Sequence, residues 1–345
     1  MVQDQIKEIS NLSYKSKSTK NSKIKRELET EVKNILVDLK KEALTSFKDE
    51  TDVKKFLDNI INFNKYSFNN MCLIRAQNKD ATYVASFKTF SEMGYFPKKG
   101  EKGIKILVPS FLTRVKIKNN DGTVEITPLY TLTDEEKQKY SNIDDDTITY
   151  HDKILKSFSV GTVFDVSQTN MPMDLINEKL NPMLDDPKAD TVADTFIKAI
   201  YKDGFKVKYD ETQNGAKGYC DLENNTIVVK KGLSNLMRLK VIVHEYAHAL
   251  AHSHLKENGM EYIHNREKYE TEAEAIAYVV SKYLGLDTRD YSQTYLYSWS
   301  KNKDFKEIDD SFSTIVNFSK KIISNYNKIL KKNNTFSEDI ESVSI

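Results

Sequence analysis

His244, Glu245 and His248 form a His-Glu-x-x-His motif inside a largely apolar run, residues 241–252. In an α-helix, residues four positions apart lie on the same face, so the two imidazoles can bind one metal ion. Glu245 lies about 100° further around the helix axis, within reach of a water on that metal. An apolar helix of this kind should be buried, where imidazoles and carboxylates are costly unless they are hydrogen-bonded or metal-bound. A histidine-rich polar stripe with a purely structural role is the alternative.

The third ligand should come from a second helix downstream. A catalytic zinc ion takes three protein ligands and leaves one position open for water. Glu270 and Glu274 lie four residues apart in a helical segment that begins about twenty residues after His248. By analogy with zincins that use a glutamate on the second helix, we assign Glu270 as the ligand and Glu274 as the acid that orients the first histidine. The reverse assignment stays open. Glu272 should point elsewhere, and His252 would lie one turn too far from the metal.

These residues predict a zinc-dependent hydrolase. Zinc lowers the pKa of bound water from about 15.7 toward 7, and Glu245 takes the proton and passes it to a leaving amine. Two predicted strands, residues 218–221 and 226–229, precede the motif where a zincin places the edge strand that pairs with an extended peptide. Peptide hydrolysis follows by analogy with that fold. The donor that stabilises the oxyanion is open among Tyr219, Tyr262, His264 and Tyr278.

A basic, aromatic segment, residues 65–118, is the second chemical feature. It holds eleven Lys and Arg and three acidic residues, a net charge of +8, whereas the whole chain carries +1. Aromatic rings are interleaved with these charges, a composition that suits single-stranded nucleic acid bound without strong sequence preference. A solvated basic face over an aromatic core is the alternative. The candidate DNA contacts are Lys65, Tyr66, Arg75, Lys88, Lys98, Lys99, Lys102 and Lys105.

Hydrophobic periodicity predicts the elements that carry both features. Helices are predicted near residues 24–43, 51–61, 67–77, 87–93, 191–201, 235–252, 269–284 and 312–330. Strands are predicted at 104–108, 114–117, 124–126, 158–166, 205–209, 218–221 and 226–229, with a hairpin turn at 119–122. Residues 1–22 are predicted to be disordered or frayed. Residues 131–150 indicate a helix with a loop, or an insertion.

The predicted fold class is α+β. A mixed α/β domain is followed by a zincin-like domain with a small antiparallel sheet and the His-Glu-x-x-His helix. Proline enrichment and fading periodicity mark the boundary near residues 170–188. The expected parts are a helical extension (1–50), a DNA-binding domain (51–175), a metallopeptidase domain (187–300) and a C-terminal helix with a polar tail (301–345).

Composition excludes several classes of protein. The chain has 345 residues and only two cysteines, Cys72 and Cys220, so neither a disulfide framework nor a thiolate zinc site is expected. No apolar run reaches the roughly 18 residues that a membrane span needs, and the N-terminus has no apolar signal region. We therefore expect a soluble, cytoplasmic protein with no membrane partner.

Several short motifs carry a resemblance to a known family. They are Tyr-Ser-Phe-Asn-Asn at 66–70, Ala-Gln at 76–77 with Asp-Ala-Thr at 80–82, Lys-Gly-Glu-Lys-Gly-Ile-Lys-Ile at 99–106 and Val-Phe-Asp-Val-Ser-Gln-Thr at 163–169. This set resembles the N-terminal domain of ArdC-type antirestriction proteins. The His-Glu-x-x-His motif, with residues 270–274 and 284–287, resembles their metallopeptidase half, which is related to ImmA/IrrE-like peptidases. The likeness spans about residues 50–300. Phe90 is a departure, since many relatives carry Trp there.

The resemblance implies a single-stranded-DNA-binding domain joined to a zincin domain, and protection of incoming plasmid or conjugative-element DNA from restriction. The leading hypothesis is therefore a zinc metallopeptidase-like protein that binds single-stranded DNA and has an unidentified protein substrate. One alternative is a non-enzymatic protein with a structural zinc that coats DNA or blocks a restriction enzyme. Another is an ImmA-like peptidase that cleaves a repressor.

Overall fold

The described part of the chain forms two compact units. In this computed structural model, the first unit combines residues 1–39 with 102–163, and the second combines 40–101 with 164–345. Both units thus take chain from two separate stretches, and the domain boundaries at 50, 175, 187 and 300 stay a prediction. The structure describes residues 1–63, 65–118, 123–136, 148–173, 175, 186–213, 215–255, 259–288, 294–301 and 303–342.

The first unit contains an antiparallel sheet. Strand β2 (Ile104–Lys118) pairs on one side with β3 (Val124–Pro128) and on the other with β4 (Ile148–Asp165). The β2–β4 register runs from Ile104 opposite Val163 to Ile117 opposite Ile148. The strands that flank the predicted hairpin therefore pair as expected. The turn itself, residues 119–122, and most of the acidic segment 131–150 lie outside the described residues.

Helix α1 (Val2–Ser18) corrects the prediction that residues 1–22 are disordered. Its buried face carries Ile6 and Ile9, but also Ser13 and Ser16, so the apolar stripe is too weak to read from composition. Tertiary contacts supply what the stripe lacks. The Ser13 hydroxyl accepts a hydrogen bond from the backbone N–H of Phe158 at 3.1 Å, and the Ser10 hydroxyl donates to the Phe158 carbonyl at 3.0 Å. Helix α2 (Ser22–Thr45) follows and continues into the second unit.

The second unit begins with three helices whose starts are capped by side chains. They are α3 (Glu50–Asn62), α4 (Phe68–Gln77) and α5 (Phe87–Glu92), the last directly after the short strand β1 (Val84–Ser86). Asp49, Ser67 and Ser86 each accept a hydrogen bond from a backbone N–H in the first turn of these helices.

A three-stranded sheet and a helical layer complete the second unit. After α6 (Asp186–Lys202), the strands β5 (Lys206–Asp210), β6 (Gly218–Asp221) and β7 (Thr226–Lys230) form a sheet of order β5-β7-β6. β7 pairs with β5 in parallel and with β6 antiparallel, so β6 is an edge strand. The remaining helices are α7 (Asn235–Ala251), α8 (Gly259–His264), α9 (Arg266–Tyr283), α10 (Thr294–Lys301) and α11 (Phe305–Ser342).

Helix α7 is the centre of this layer. It packs against α6, α9, α11 and the sheet, and Ile242, Val243 and Ala247 are fully buried. Helix α11 belongs to the same core, since Phe312, Ile315 and Val316 are also fully buried and the helix packs against α9. The predicted C-terminal helix is therefore part of the hydrophobic core and not an appendage. None of the described helices is long and apolar enough to cross a membrane.

Candidate metal centre

Three side chains from two helices converge in the second unit. His244 and His248 on α7 and Glu270 on α9 each offer one ligand atom, and these atoms all lie within 4.8 Å of one another. The carboxylate oxygen Oε2 of Glu270 lies 3.4 Å from Nε2 of His248 and 3.8 Å from Nε2 of His244. The trio faces a cavity of about 930 Å³. Two imidazole nitrogens, one carboxylate oxygen and an open side fit a divalent metal ion with one exchangeable position.

Glu274 holds the ring of His244. Its Oε2 lies 3.4 Å from Nδ1 of His244, so that Nε2 of the same ring faces Glu270. Burial lowers the pKa of His244, but the nearby carboxylates of Glu270 and Glu274 outweigh it and raise the pKa to about 10. Glu270 is within 4 Å of both Nε2 atoms, whereas Glu274 is placed against Nδ1. This geometry favours Glu270 over Glu274 as the ligand, which stays a prediction.

Glu245 lies beside the trio with only 8% of its surface exposed, and it lines the same cavity. Burial raises the pKa of its carboxyl group to about 7, with the charge of Glu270 adding to the rise and that of His244 opposing it. A carboxyl group with a pKa near neutrality can both accept and return a proton, which suits a general base.

The edge strand β6 forms the opposite wall of the cavity. A Cβ atom on Gly218 would lie 2.5 Å from Cγ1 of Val241 and 2.8 Å from the Val228 carbonyl oxygen, so glycine permits β6 to lie this close to α7. Cys220 on the same strand lines the cavity. Burial, with the charges of Glu245 and Asp221 adding to it, raises the pKa of its thiol to about 12, which favours the protonated form.

The structure separates the four candidate oxyanion donors. Tyr262 and Tyr219 line the cavity, and the Tyr262 hydroxyl donates to Oε1 of Glu270 at 3.1 Å. The Tyr278 hydroxyl instead donates to Asp58 at 2.6 Å, and His264 Nδ1 lies 2.6 Å from the carbonyl oxygen of Met260. Tyr262 is therefore the candidate closest to the proposed ligands.

His252 and Glu272 are outside the trio, as the sequence predicts, but they contact each other. His252 Nε2 lies 3.1 Å from a Glu272 oxygen, and His252 Nδ1 lies 3.1 Å from Nδ1 of His248. Residue spacing alone did not predict this contact. The spacing of His244, His248 and His252 along one helical face was the available signal.

The candidate DNA contacts are divided between the two units. Lys98 is exposed, and its ammonium donates to the Ser167 carbonyl at 3.1 Å, while Lys105 is half-buried and donates to the Thr162 hydroxyl at 2.8 Å. The Tyr66 hydroxyl donates to the Val84 carbonyl, and burial raises its pKa to about 12. Lys65, Lys88, Lys98 and Lys99 belong to the second unit and are exposed, whereas Lys102 and Lys105 belong to the first.

Arg75, one of the predicted DNA contacts, is buried. Its side chain is 8% exposed, and its Nε donates to the Ala43 carbonyl at 3.1 Å. The guanidinium lies 3.7 Å from Asp52 and stacks over the ring of Phe47 at 4.3 Å. The positive charge of Arg75 therefore acts inside the second unit, where a nucleic-acid phosphate has no access to it.

Two exposed rings, Phe87 and Phe96, are a feature that the sequence analysis did not single out as contacts. They are 54% and 47% exposed, and their centroids lie 6.2 Å apart. The backbone around Phe96 is fixed, because its N–H donates to Asn170 Oδ1 and the N–H of Lys98 donates to the Gln168 carbonyl, both at 2.8 Å. Phe90, by contrast, is fully buried in a small hydrophobic cluster, so its ring packs and does not stack.

Comparison with known proteins assigns both halves of the chain. Residues 22–160 match the family described as the N-terminal domain of anti-restriction factor ArdC, and residues 202–318 match the IrrE N-terminal-like domain of the M78 peptidases. Residues 22–160 thus form an ArdC-like N-terminal domain, and residues 202–318 form an IrrE-like domain.

Individual relatives of the chain are distant. It is 28% identical over 336 residues to an uncharacterized protein of Bacillus anthracis. This alignment covers 90% of the chain but only 55% of the length of that relative. Two crystal structures of the antirestriction ArdC protein from the R388 plasmid also align with the chain at low identity. The metal-free form is 17% identical to this chain. The alignment covers 76% of this chain and 86% of the crystallised chain, with a TM-score of 0.42. The Mn(II)-bound form is 15% identical. The alignment covers 79% of this chain and 96% of the crystallised chain, with a TM-score of 0.38.

In this chain, two of the sequence motifs meet at Asp165. This carboxylate, which is 1% exposed, accepts hydrogen bonds from the backbone N–H groups of Thr82 and Tyr83 at 2.8 and 3.1 Å. It also accepts from the N–H and the hydroxyl of Ser167 at 3.0 and 2.6 Å. The motifs at residues 80–82 and 163–169 therefore form one hydrogen-bonded structure.

Proposed function

We propose that this chain is a zinc-dependent peptidase that also binds single-stranded DNA, and that it protects incoming plasmid or conjugative-element DNA from restriction. The observation that carries the proposal is the convergence of His244, His248 and Glu270 at the wall of a large cavity, with the buried Glu245 beside them. A structural zinc site is normally closed by four protein ligands. The open cavity therefore favours a catalytic site.

Each residue of the site has a role in this proposal. His244, His248 and Glu270 would hold the zinc ion, which when bound supplies a Lewis acid and acidifies water. Glu245 accepts a proton from the attacking water and returns it to the leaving amine. Glu274 orients the ring of His244.

The β6 edge strand is the proposed binding site for a protein substrate. It lies at the edge of the sheet and lines the same cavity as Glu245. Its outer backbone groups are in position to pair with an extended peptide. Tyr262 is the proposed oxyanion donor, because its side chain lines the cavity beside the proposed ligand Glu270; its hydroxyl would turn from the Glu270 carboxylate to the oxyanion.

Metal analysis tests the zinc site. Purified protein should hold about one zinc per chain, and His244→Ala or Glu270→Gln should lose it, because each removes one of three ligands. Glu274→Gln should retain zinc with affinity weakened by about 10–100-fold, since it acts through His244. An equal loss in the two glutamate variants, or wild-type protein without stoichiometric zinc, would contradict the assignment.

Glu245→Gln separates enzymatic from non-enzymatic function. The variant should keep its zinc but lose hydrolysis, because glutamine cannot accept the proton. Protein fragments that appear with the wild type and not with this variant would identify the substrate, including a repressor if that is the target. If the variant protects DNA as well as the wild type does, the peptidase activity is not needed for protection, and DNA coating or blocking of a restriction enzyme takes its place.

The exposed rings of Phe87 and Phe96 support the DNA-binding part of the proposal. They lie 6.2 Å apart in the same unit as the exposed Lys88, Lys98 and Lys99, and the backbone of Phe96 is held by Asn170. Unstacked bases bind to such rings while ammonium groups contact the phosphates. We include Phe87 and Phe96 in the proposed surface in place of Arg75.

Binding to a labelled single-stranded oligonucleotide tests this surface. Phe87→Ala and Phe96→Ala should each weaken binding by about 1–3 kcal/mol, the usual contribution of one stacked base. Lys99→Glu should weaken binding and reduce its salt dependence. Phe111→Ala is the matched control, because Phe111 is equally exposed (55%) but lies in the other unit. If Phe87→Ala and Phe96→Ala both bind the oligonucleotide with wild-type affinity, the two rings do not form a stacking surface.

A further inference from the structure

A buried chain of polar side chains runs from the proposed ligand His248 into helix α11. His248 Nδ1 lies 3.1 Å from His252 Nδ1, and His252 Nε2 lies 3.1 Å from Oε2 of Glu272. The hydroxyl of Ser311 then donates to Oε1 of Glu272 at 2.6 Å. We call these four residues the buried polar chain. Its members come from α7, α9 and α11, so it joins three elements of the core.

The burial of this chain is nearly complete. Exposure is 6% for His248, 1% for His252, 2% for Glu272 and 0% for Ser311. Polar groups removed from water in this way are costly unless they are hydrogen-bonded, and the cost is largest for a carboxylate. Both oxygens of Glu272 have a partner, with the ammonium of Lys268 also 3.9 Å from Oε1. The packing therefore fixes where each hydrogen bond is made.

The direction of the hydrogen bonds follows from the chemistry of the end groups. An ionised carboxylate only accepts, so the Nε2 of His252 that faces Glu272 must carry a proton. The other nitrogen of a neutral imidazole is then an acceptor. The Nδ1 of His252 therefore accepts from Nδ1–H of His248, which leaves Nε2 of His248 without a proton. That Nε2 faces Oε2 of Glu270 at 3.4 Å, which is longer than an ordinary N–H···O hydrogen bond, whereas the two Nδ1 atoms lie 3.1 Å apart, so the geometry places the proton of His248 on Nδ1.

We propose that His252 is a positioning residue for the metal site, held by Glu272 and Ser311, which fixes the tautomer and the ring orientation of His248. This inference rests on the proposed metal-binding role of His248. The arrangement parallels that of His244, whose Nδ1 faces the carboxylate of Glu274 directly. For His248 the corresponding carboxylate is that of Glu272, and it acts through the ring of His252, which lies between them. Helix α11 thereby contributes to the site through Ser311.

The tautomer of His248 in metal-free protein is the first test. Protein labelled with ¹⁵N in histidine should show His248 with its proton on Nδ1 and His252 with its proton on Nε2. In His252→Phe, which keeps a ring but removes both nitrogens, the His248 signal should move toward the Nε2–H form, which imidazole otherwise favours. A wild-type His248 with the proton on Nε2 would overturn the proposal.

Zinc affinity, measured by competition with a chelator, is the second test. His252→Phe should weaken binding by about 10–100-fold, the usual effect of losing a group that orients a ligand. His252→Gln keeps a donor and an acceptor and should recover most of this loss. His254→Phe changes a nearby exposed histidine and should bind as the wild type does. Equal affinities in His252→Phe and His252→Gln would count against positioning through hydrogen bonds.

The two tests also distinguish this inference from the proposed function. If wild-type protein binds no zinc, the metal site is refuted, but the tautomer measurement still decides the direction of the buried polar chain. If zinc binds with normal affinity in His252→Phe, the metal site stands and the positioning role of His252 is refuted. The unfolding midpoint of each variant, measured in parallel, shows whether an affinity loss comes only from lost stability.

Discussion

At the scale of single residues, Asp165 shows how a motif residue acts through structure. Its buried carboxylate accepts four hydrogen bonds, two from the backbone of Thr82 and Tyr83 and two from Ser167. The loop that holds Phe96 and Lys98 forms hydrogen bonds with Asn170 and Gln168, which lie within five residues after Asp165. The motif around Asp165 thus organises the proposed DNA-binding surface without contacting DNA itself.

Asp165→Ala should lower the free energy of unfolding by about 2–4 kcal/mol, because it leaves buried donors without an acceptor. Urea unfolding measures this directly. Asp80→Ala is the control, since the Asp80 carboxylate is 62% exposed and its ion pair with Lys55 is a surface one. That variant should change the stability by less than about 0.5 kcal/mol. A similar effect in both variants would show that the hydrogen bonds of Asp165 add little.

At the scale of secondary-structure elements, the proposed active site depends on how closely β6 approaches α7. The strand carries the cavity wall and the helix carries Glu245, and at Gly218 the two lie too close for a Cβ atom. A short strand with a glycine in it has weak intrinsic stability, so close packing against the helix decides its position.

Gly218→Ala should displace β6 or Glu245, because the added methyl group would overlap with Val241 and with the backbone carbonyl of Val228. We expect a loss of stability of about 1–3 kcal/mol, as for other overpacked sites. Hydrolysis should fall while zinc stoichiometry is retained, since the ligands lie on α7 and α9. Lys206→Ala, at an exposed position of β5 that does not line the cavity, should leave both unchanged. Full peptidase activity in Gly218→Ala would show that the close approach is not required.

At the scale of the whole molecule, the second unit is closed by its last helix. The buried side chains of α11 include Ile308, Phe312, Ile315, Val316 and Ile322, and they pack on the helices that carry the metal site. Ser311 lies among them and reaches the buried polar chain. The C-terminal helix is therefore part of the same cooperative structure as α7 and α9.

Truncation tests this conclusion. Removal of residues 303–345 should abolish cooperative folding of the second unit, because several fully buried side chains would be lost at about 1.5–3 kcal/mol each. Removal of residues 332–345 should leave the thermal midpoint and zinc binding unchanged, since the buried residues described in α11 all precede it. A folded, zinc-binding protein without residues 303–345 would show that α11 is dispensable.

Features that depend on local periodicity could be predicted from the sequence. The helical spacing of His244 and His248, the pairing of β2 with β3 and the positions of most helices follow from residue order alone. Glu270 and Glu274 could also be named, because their four-residue spacing places them on one face of one helix. Residues 1–22 were misjudged, since serines occupy part of the buried face of α1.

The sequence by itself determined which residue types are available to a metal site and which helices present them. Only the tertiary structure decided which charged or aromatic side chains are exposed, so that Arg75 is buried while Phe87 and Phe96 are open to solvent. Only the tertiary structure brought His252 to Glu272, twenty residues away, and Glu272 to Ser311, a further 39 residues on. The physical reason is that periodicity acts over a few residues, whereas burial and hydrogen bonding between helices depend on how the elements pack together.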